Sequence, residues 1–190
     1  MGLESDDIDV ALDNMCGEDF AKLICEHLDS NVDASDDAAS KTSYHVIKAN
    51  SEKSKHLETA TIRIDDFAVD LVNLRSETYT ENSRVPLVEI GTPEQDAYRR
   101  DLTINSLFYN INESRIEDWT GLGLQDIRDR IIRTPLDPVQ TFLDDPLRLL
   151  RTVRFASRFD FTIVPQIEAA AKNPLLRVSP FTHAFTHHIT

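Results

Sequence analysis

Cysteine, glycine and positive charge are all scarce in this 190-residue sequence. The two cysteines, Cys16 and Cys25, cannot form a disulfide scaffold, and they lack metal-ligand partners at a suitable spacing. Five glycines and eight prolines are too few for a long flexible linker. No apolar run is long enough to cross a bilayer, and the N-terminus does not resemble a secretory signal. The sequence therefore predicts an intracellular protein with reduced thiols and no membrane anchor.

Acidic residues outnumber basic ones by 33 to 20, which gives a net charge of -13. A protein this acidic is not expected to coat nucleic acid non-specifically. The charge is uneven, however, because residues 1–40 contain twelve acids and one base, whereas residues 146–190 contain six bases and two acids. This asymmetry predicts an acidic pole and a basic pole with different roles, and it permits local binding of nucleic acid through metal ions and a basic patch.

Hydrophobic periodicity predicts an α+β protein in which a small sheet domain leads into a helical one. Strands are predicted at 7–12, 44–48, 58–64, 67–74 and 115–119, with a hairpin turn at 65–66. Helices are predicted at 18–28, from Thr92 to about Tyr109, around 124–131, at 147–159 and at 165–172. For the helix at 147–159, Asp145 is the expected N-cap and Pro146 suits the first helical position.

Asp7 and Asp9 lie two residues apart in the first predicted strand, so their carboxylates are expected on the same face. Residues on the other face are apolar, which places the acidic face away from the core. Adjacent carboxylates repel each other, and a divalent cation such as Mg²⁺ between them removes that cost. An acidic face that is simply solvated is the alternative, and the neighbouring Asp6 favours it.

Asp70 is a charged residue within the otherwise apolar run 67–72. A charged group in such a run is rarely tolerated without a partner. If its strand lies beside that of Asp7 and Asp9, the three carboxylates could hold two metal ions for in-line nucleotidyl transfer. The alternative is a residue on an edge strand that faces water.

A row of charged residues recurs every three positions at the start of the predicted helix 147–159. Its members are Asp145, Arg148, Arg151 and Arg154. Much of the opposing apolar face is expected to consist of Leu147, Leu150 and Val153. Such a row is usually solvated or salt-bridged. A carboxylate beside a planar guanidinium can also recognise the edge of a base, and further arginines can hold phosphates.

Several segments together resemble the class II tRNA nucleotidyltransferases, or CCA-adding enzymes, and in particular their eukaryotic branch. The matching motifs are Asp7-Ile8-Asp9, Arg99-Arg100-Asp101-Leu-Thr-Ile-Asn, Asp118 through Gly123 to Asp126, and Asp144-Asp145-Pro-Leu-Arg148. The segments VDLVNLRSETYTENSR and TFLDDPLRLLRTVRFASRFDFTI are also similar to this family. The resemblance covers residues 2 to about 175, and bacterial-type poly(A) polymerases share the same head.

The resemblance implies a polymerase-β-like nucleotidyltransferase head that leads into an all-helical neck. The expected divisions are a head at 1–138, the start of the neck at 139–175 and an off-pattern tail at 176–190. Compared with the family, the chain is expected to be truncated at both ends. It begins after the family's Gly-Gly-x-Val-Arg-Asp segment and a strand of the sheet, and it ends before the C-terminal body and tail.

The resemblance also implies roles for individual residues. The catalytic carboxylates would be Asp7, Asp9 and Asp70, the first two as ligands of Mg²⁺. The nucleotide-binding positions are matched by Arg100, Asp145, Arg148, Arg151 and Arg154. Within this set, Asp145 and Arg148 match the pair that recognises CTP and ATP without a nucleic-acid template. Cytosine and adenine each offer an amino donor beside a ring-nitrogen acceptor, so one carboxylate and one guanidinium can accept both and reject uracil and guanine.

The implied reaction is attack by the 3′-hydroxyl of a tRNA on the α-phosphate of CTP or ATP, with release of pyrophosphate. The implied partners are therefore the tRNA 3′ end, CTP and ATP, while the oligomeric state stays open. The family works in the nucleus, the cytoplasm and mitochondria. Two alternatives are a poly(A) polymerase with the same head and a catalytically silent remnant that binds nucleotide or RNA.

Overall fold

The computed structural model describes residues 8–30, 43–47, 59–64, 67–80 and 83–177. Contacts divide them into two compact units, one within Met1–Thr78 and Val85–Thr92 and the other within Tyr79–Arg84 and Pro93–Thr190. The expected head–neck boundary after residue 138 does not coincide with this division into units. It concerns the organisation of the family, and it stays a prediction. Within the described ranges, no helix is long and apolar enough to cross a membrane.

The first unit contains a four-stranded sheet and one helix. Its elements are β1 (Ile8–Leu12), α1 (Gly17–Ser30), β2 (Ser43–Ile47), β3 (Thr59–Ile64) and β4 (Phe67–Asn73). The strand order is β1-β4-β3-β2, in which β1 runs parallel to β4 and the other neighbours are antiparallel. All five elements lie within two residues of their predicted bounds. The β3–β4 pairing agrees with the predicted hairpin, whose turn at 65–66 lies outside the described residues.

Alternation along the strands buries one face of this sheet and leaves the other open. Ile62 and Leu71 pack with Ala21 of α1, and none of the three is more than 1% exposed. Residues of opposite parity point away from the helix, among them Asp9 and Asp70. The apolar side of the sheet therefore holds the unit together, while its polar side is available for chemistry.

Two further strands follow β4 in the sequence, and the apolar pattern does not predict them. They are β5 (Arg75–Thr80) and β6 (Ser83–Ile90), which pair with each other. The sequence of β5 is RSETYT, which has no apolar alternation, and β6 is interrupted by Pro86. Thr and Tyr favour strands, but β5 lacks the apolar alternation, and β6 the proline-free run, on which sequence-based prediction depends.

The second unit is mainly helical. Its helices are α2 (Pro93–Tyr98), α3 (Gly123–Asp129), α4 (Pro138–Asp144), α5 (Leu147–Phe159), α6 (Pro165–Ala171) and α7 (Pro174–Arg177), with a 3₁₀ turn at Thr103–Asn105. Its strands are β7 (Phe108–Asn110), β8 (Arg115–Glu117), β9 (Ile131–Ile132) and β10 (Thr162–Ile163). Strands β7 and β8 pair antiparallel, and β9 and β10 pair parallel. The core gathers around Leu102, Ile132, Phe142 and Ile167, none of them more than 2% exposed.

The helix after Thr92 is much shorter than predicted. The sequence pattern predicts continuation to about Tyr109, but α2 ends at Tyr98. Leu102 adopts an extended backbone (φ −134°, ψ 146°) and is completely buried in the core. Because this leucine draws the chain away from the helix axis, the motif at 99–101 follows the helix instead of lying within it.

Helix α5 has the predicted bounds, but the prediction of its buried face is wrong. The side that packs into the core consists of Leu149, Thr152, Phe155, Ala156 and Phe159. The residues predicted to form the apolar face, Leu147, Leu150 and Val153, are instead 52%, 46% and 54% exposed. A three-residue repeat falls about 60° behind the helix at each step, so it cannot remain on one face over three turns.

Candidate active site

Asp9 and Asp70 lie side by side on the open face of the sheet in the first unit. They are register partners across the parallel pair β1–β4, and neighbouring strands are about 4.8 Å apart. Asp9 is exposed, whereas Asp70 is half-buried. Because β4 lies between β1 and β3, Asp70 is not on an edge strand. The chain thus brings two of its three predicted catalytic carboxylates together.

A threonine hydroxyl fixes the orientation of Asp70. Thr61 is the register partner of Asp70 on β3, and its Oγ1 donates a hydrogen bond of 2.6 Å to Oδ1 of Asp70. This bond occupies one carboxylate oxygen and leaves the lone pairs of Oδ2 for a different donor or for a cation. Asp9, Asp70 and Thr61 therefore form one polar row across three adjacent strands.

The chemistry of this row suits a hard divalent cation. Mg²⁺ takes oxygen ligands and binds through one or two carboxylates together with substrate phosphates. Two adjacent carboxylates on an open sheet face fit such an ion, because its charge offsets their mutual repulsion. Asp7, the remaining predicted carboxylate, lies outside the described residues. Over the part of the chain that the structure describes, no group of three or more His, Cys, Asp or Glu residues could hold a metal ion.

In the second unit, Arg99 and Arg100 share the carboxylate of Asp96, which is only 2% exposed. Arg99 donates to Oδ2 of Asp96 from Nε at 3.2 Å and from Nη2 at 3.0 Å, and Nε of Arg100 donates to Oδ1 at 2.9 Å. Arg100 also donates from Nη1 to the carbonyl oxygen of Asn105 at 3.0 Å. Its guanidinium carbon lies 4.8 Å from the ring centroid of Phe108. The predicted nucleotide-binding Arg100 is therefore rigidly held, with 34% of its side chain exposed.

Asp101 connects the segment after α2 to helix α5. Nε of Arg151 donates a hydrogen bond of 2.6 Å to Oδ2 of Asp101, and Nδ2 of Asn105 donates to Oδ1 at 3.1 Å. The side chain of Asp101 is 7% exposed, whereas that of Arg151 is 45% exposed. A second predicted nucleotide-binding arginine is therefore attached to a buried carboxylate at one end of its guanidinium and remains accessible.

Aromatic rings support the exposed arginines of α5. The guanidinium carbons of Arg151 and Arg154 lie 5.3 Å and 5.0 Å from the ring centroid of Phe155. Arg158 lies 5.8 Å from the ring centroid of Phe159 in the same way. Each distance is within the range in which a cation is attracted to the face of an aromatic ring.

Asp145 and Arg148 lie at the start of α5. The residue at the N-cap position of α5 is Pro146, so the predicted N-cap Asp145 lies one residue too early, although its Oδ1 accepts a hydrogen bond of 3.0 Å from the amide of Leu147. Oδ2 of Asp145 is 4.0 Å from Nε of Arg148. The side chain of Asp145 is 42% exposed and that of Arg148 is 12% exposed. The structure places an acceptor beside a donor here, while the recognition of bases by this pair stays a prediction.

Asp118 organises the turn that precedes α3. The amide of Leu124 donates to Oδ2 of Asp118 at 2.9 Å, and the hydroxyl of Thr120 donates to Oδ1 at 2.9 Å. Burial opposes ionisation, but these bonds and the backbone amides of Gly121 and Gly123 together lower the pKa of Asp118 below its ordinary value. The ionised carboxylate therefore stabilises this turn.

Three supporting residues, Thr61 in the first unit and Asp96 and Phe155 in the second, are not evident from the sequence. A signal existed for Asp96, because it precedes Arg99 and Arg100 by three and four residues, the spacing at which charges meet on a helix. Thr61 and Phe155 are typical strand and core residues in sequence. Only the pairing of strands and the packing of α5 show what they contact.

Comparisons with known proteins agree with this structure. Residues 1–133 match the family described as the poly A polymerase head domain. The mitochondrial CCA tRNA nucleotidyltransferase of Saccharomyces cerevisiae is 52% identical over 179 residues, which are 94% of this chain and 32% of that protein. The protein of the same name from Candida glabrata is 50% identical over 190 residues, covering 93% of this chain and 35% of that protein. The chain thus spans about a third of the length of these curated relatives.

Solved structures give the same result. A tRNA-processing enzyme solved with CTP is 26% identical, with a TM-score of 0.65 over 89% of this chain and 38% of that one. A CCA-adding enzyme in apo form II is 27% identical, with a TM-score of 0.68 over 89% of this chain and 35% of that one. Poly(A) polymerase I of Escherichia coli is 42% identical over 76 residues, only 40% of this chain. The predicted α+β, polymerase-β-like fold is therefore confirmed, and the chain belongs to the poly(A) polymerase head-domain family of nucleotidyltransferases.

Proposed function

We propose that this chain is the head and the start of the neck of a tRNA nucleotidyltransferase that adds CCA to tRNA 3′ ends from CTP and ATP. The observation that carries the proposal is the pairing of Asp9 with Asp70 across β1 and β4. Two carboxylates at this position can serve metal-dependent nucleotidyl transfer. Relatives that are about half identical over nearly all of this chain, and that are named as CCA tRNA nucleotidyltransferases, support the choice of reaction.

The residues proposed to hold Mg²⁺ are Asp9 and Asp70, together with Asp7. When two ions are bound, one would supply activation of the attacking 3′-hydroxyl and the other stabilisation of the leaving pyrophosphate. Thr61 contributes by holding Oδ1 of Asp70, so that the carboxylate does not rotate away from its neighbour. The remaining exposure of Asp9 gives the substrate access to this row.

The nucleotide is proposed to contact the charged residues of the second unit. Asp145 and Arg148 would distinguish cytosine and adenine from uracil and guanine by the position of donor and acceptor groups. Further contacts would come from Arg100, Arg151 and Arg154. The support for this assignment is that Arg100 and Arg151 are each oriented by a buried carboxylate, since an arginine fixed in advance loses less freedom on binding.

Poly(A) addition is the second candidate reaction. It is less well supported, because the match to poly(A) polymerase I covers 40% of this chain whereas the CCA enzymes match over more than nine-tenths. The two yeast relatives are named as mitochondrial, and we propose the same compartment for this chain, with the cytoplasm and nucleus as alternatives.

The test is extension of a tRNA that lacks its 3′-terminal CCA, with Mg²⁺ and with CTP, ATP or both. We expect two C residues from CTP alone and a final A when ATP is added. A long A tail would instead identify a poly(A) polymerase. If nothing is added and no nucleotide is bound, the chain is a silent remnant and the proposal is wrong. Arg148→Ala is expected to lose the preference for CTP over UTP, and retention of that preference would contradict its role in base recognition.

A further inference from the structure

Arg151 is held from two directions on a helix face where a long side chain normally samples many rotamers. Oδ2 of Asp101 accepts a hydrogen bond of 2.6 Å from Nε, and the ring of Phe155 lies against the guanidinium at 5.3 Å. The hydrogen bond uses the nitrogen nearest the helix. The two terminal nitrogens lie farther out, on a side chain that is still 45% exposed.

The carboxylate of Asp101 is itself fixed. It is 7% exposed, and Nδ2 of Asn105 donates to its other oxygen at 3.1 Å. A buried carboxylate needs partners of this kind. Since Asp101 and Arg151 are 50 residues apart in sequence, their hydrogen bond ties the segment after α2 to the helix that carries the predicted nucleotide-binding arginines.

The ring of Phe155 is also fixed, because it belongs to the core. It stacks on Phe159, with ring centroids 5.6 Å apart and an interplanar angle of 22°. Its ring lies within 5.3 Å of the guanidinium of Arg151 and within 5.0 Å of that of Arg154. One half-buried aromatic ring therefore supports two cationic side chains at once.

We propose that Asp101 and Phe155 are positioning residues for nucleotide binding. Asp101 orients Arg151 through Nε, and Phe155 supports both Arg151 and Arg154, so the guanidinium groups are placed before the triphosphate arrives. The negative charge of Asp101 also offsets part of the repulsion between the neighbouring guanidinium groups of Arg151 and Arg154. This inference rests on the proposed function, because it requires that Arg151 contacts the nucleotide. Its consequence is that changes at two residues that do not themselves touch the nucleotide weaken binding, Asp101 through Arg151 and Phe155 through both Arg151 and Arg154.

The test is calorimetric measurement of the Kd for CTP, with unfolding midpoints measured in parallel. The variants are Asp101→Asn, Phe155→Leu and Arg151→Gln, and the double variants that combine each of the first two with Arg151→Gln. Each of the first two changes is expected to raise the Kd by about 3- to 10-fold. The double variant of Asp101→Asn and Arg151→Gln is expected to bind no more weakly than Arg151→Gln alone, so these two penalties do not add. The double variant of Phe155→Leu and Arg151→Gln is expected to lose, beyond Arg151→Gln, only the part of the Phe155 penalty that acts through Arg154.

Asp137→Ala is the matched control. It removes the cap of α4, a hydrogen bond of 3.0 Å from the amide of Gln140, and should lower the unfolding midpoint without changing the Kd. If Arg151→Gln weakens binding but Asp101→Asn binds like the wild type, or if their penalties add, the positioning role is wrong and the proposed function stands. If the wild type binds no CTP, or Arg151→Gln changes nothing, the proposed role of Arg151 fails first. Asp101→Asn removes no apolar contact, so it decides the question even if Phe155→Leu does not fold.

Discussion

Replacing Asp96 with asparagine tests a buried charge cluster of the second unit. The carboxylate is 2% exposed and accepts hydrogen bonds from two arginines. Removing one partner from a buried ion pair costs about 3–5 kcal/mol. Arg99 and Arg100 are 23% and 34% exposed, so water can hydrate part of their charge and the lower end applies. We expect a loss of about 3 kcal/mol, which for a chain of this size lowers the unfolding midpoint by about 6–12 °C.

The assay is urea and thermal unfolding followed by circular dichroism, with Glu94→Gln as the matched control. Glu94 lies in the same helix, α2, and is exposed, so its replacement should cost about 0.5 kcal/mol. Unfolding free energies of the two variants that differ by less than about 1 kcal/mol would refute this reasoning.

Three further predictions concern packing and pH. Gly123→Ala should lower the free energy of unfolding by about 2 kcal/mol, because a β-carbon there would lie 2.6 Å from the carbonyl oxygen of Thr103. Gly121→Asn should fold normally, since the φ of +68° suits asparagine and nothing lies within 4 Å of the added β-carbon. Equal unfolding midpoints for these two variants would contradict the prediction. Phe142→Ala, at a fully buried position, should lower the free energy of unfolding by about 3–5 kcal/mol. Leu150→Ala, at an exposed position of α5, should lower it by less than about 1 kcal/mol. The reverse order in urea unfolding would show that the buried residues of the second unit are misassigned. The pKa of Asp118 is lowered, so its ionised form stabilises the fold above the unfolded pKa of 3.8 and this contribution is lost as pH falls through the folded pKa. The difference in unfolding free energy between the wild type and Asp118→Asn should be constant above about pH 5 and shrink below about pH 4, whereas a difference that is independent of pH would exclude this role.

Several helices and strands could be predicted from the residue pattern within the element itself. The alternation in β1 and β4 and the helical spacing in α1 and α5 gave bounds within two residues of those observed. Helix α4 is not predicted from the sequence, where Pro135 and Pro138 are typical of a break between elements. Pro138 in fact begins the helix, and Asp137 caps it through the amide of Gln140. A proline is as compatible with the first turn of a helix as with its end, so composition alone does not distinguish the two.

The parts of the site that depend on long-range packing could not be predicted from the residues. The sequence placed Asp9 and Asp70 as candidates, but their register across β1 and β4 follows from the pairing of strands about 60 residues apart. The contact between Asp101 and Arg151 likewise requires that the segment after α2 and helix α5 share one core. Three-residue spacing in α5 gave the wrong apolar face, because a face of a helix needs four-residue steps as well.

The most direct test of the central claim is the single-turnover rate of C addition to a tRNA lacking CCA, measured with Mg²⁺ for the wild type, Asp9→Asn and Asp70→Asn. Asp13→Asn is the control, since Asp13 is an exposed acid just beyond the same strand. If the adjacent carboxylates serve metal-dependent transfer, each site variant should be slower by at least about 100-fold, while the control stays within about twofold of the wild type. Site variants that add C at a rate within about threefold of the wild type would contradict the account.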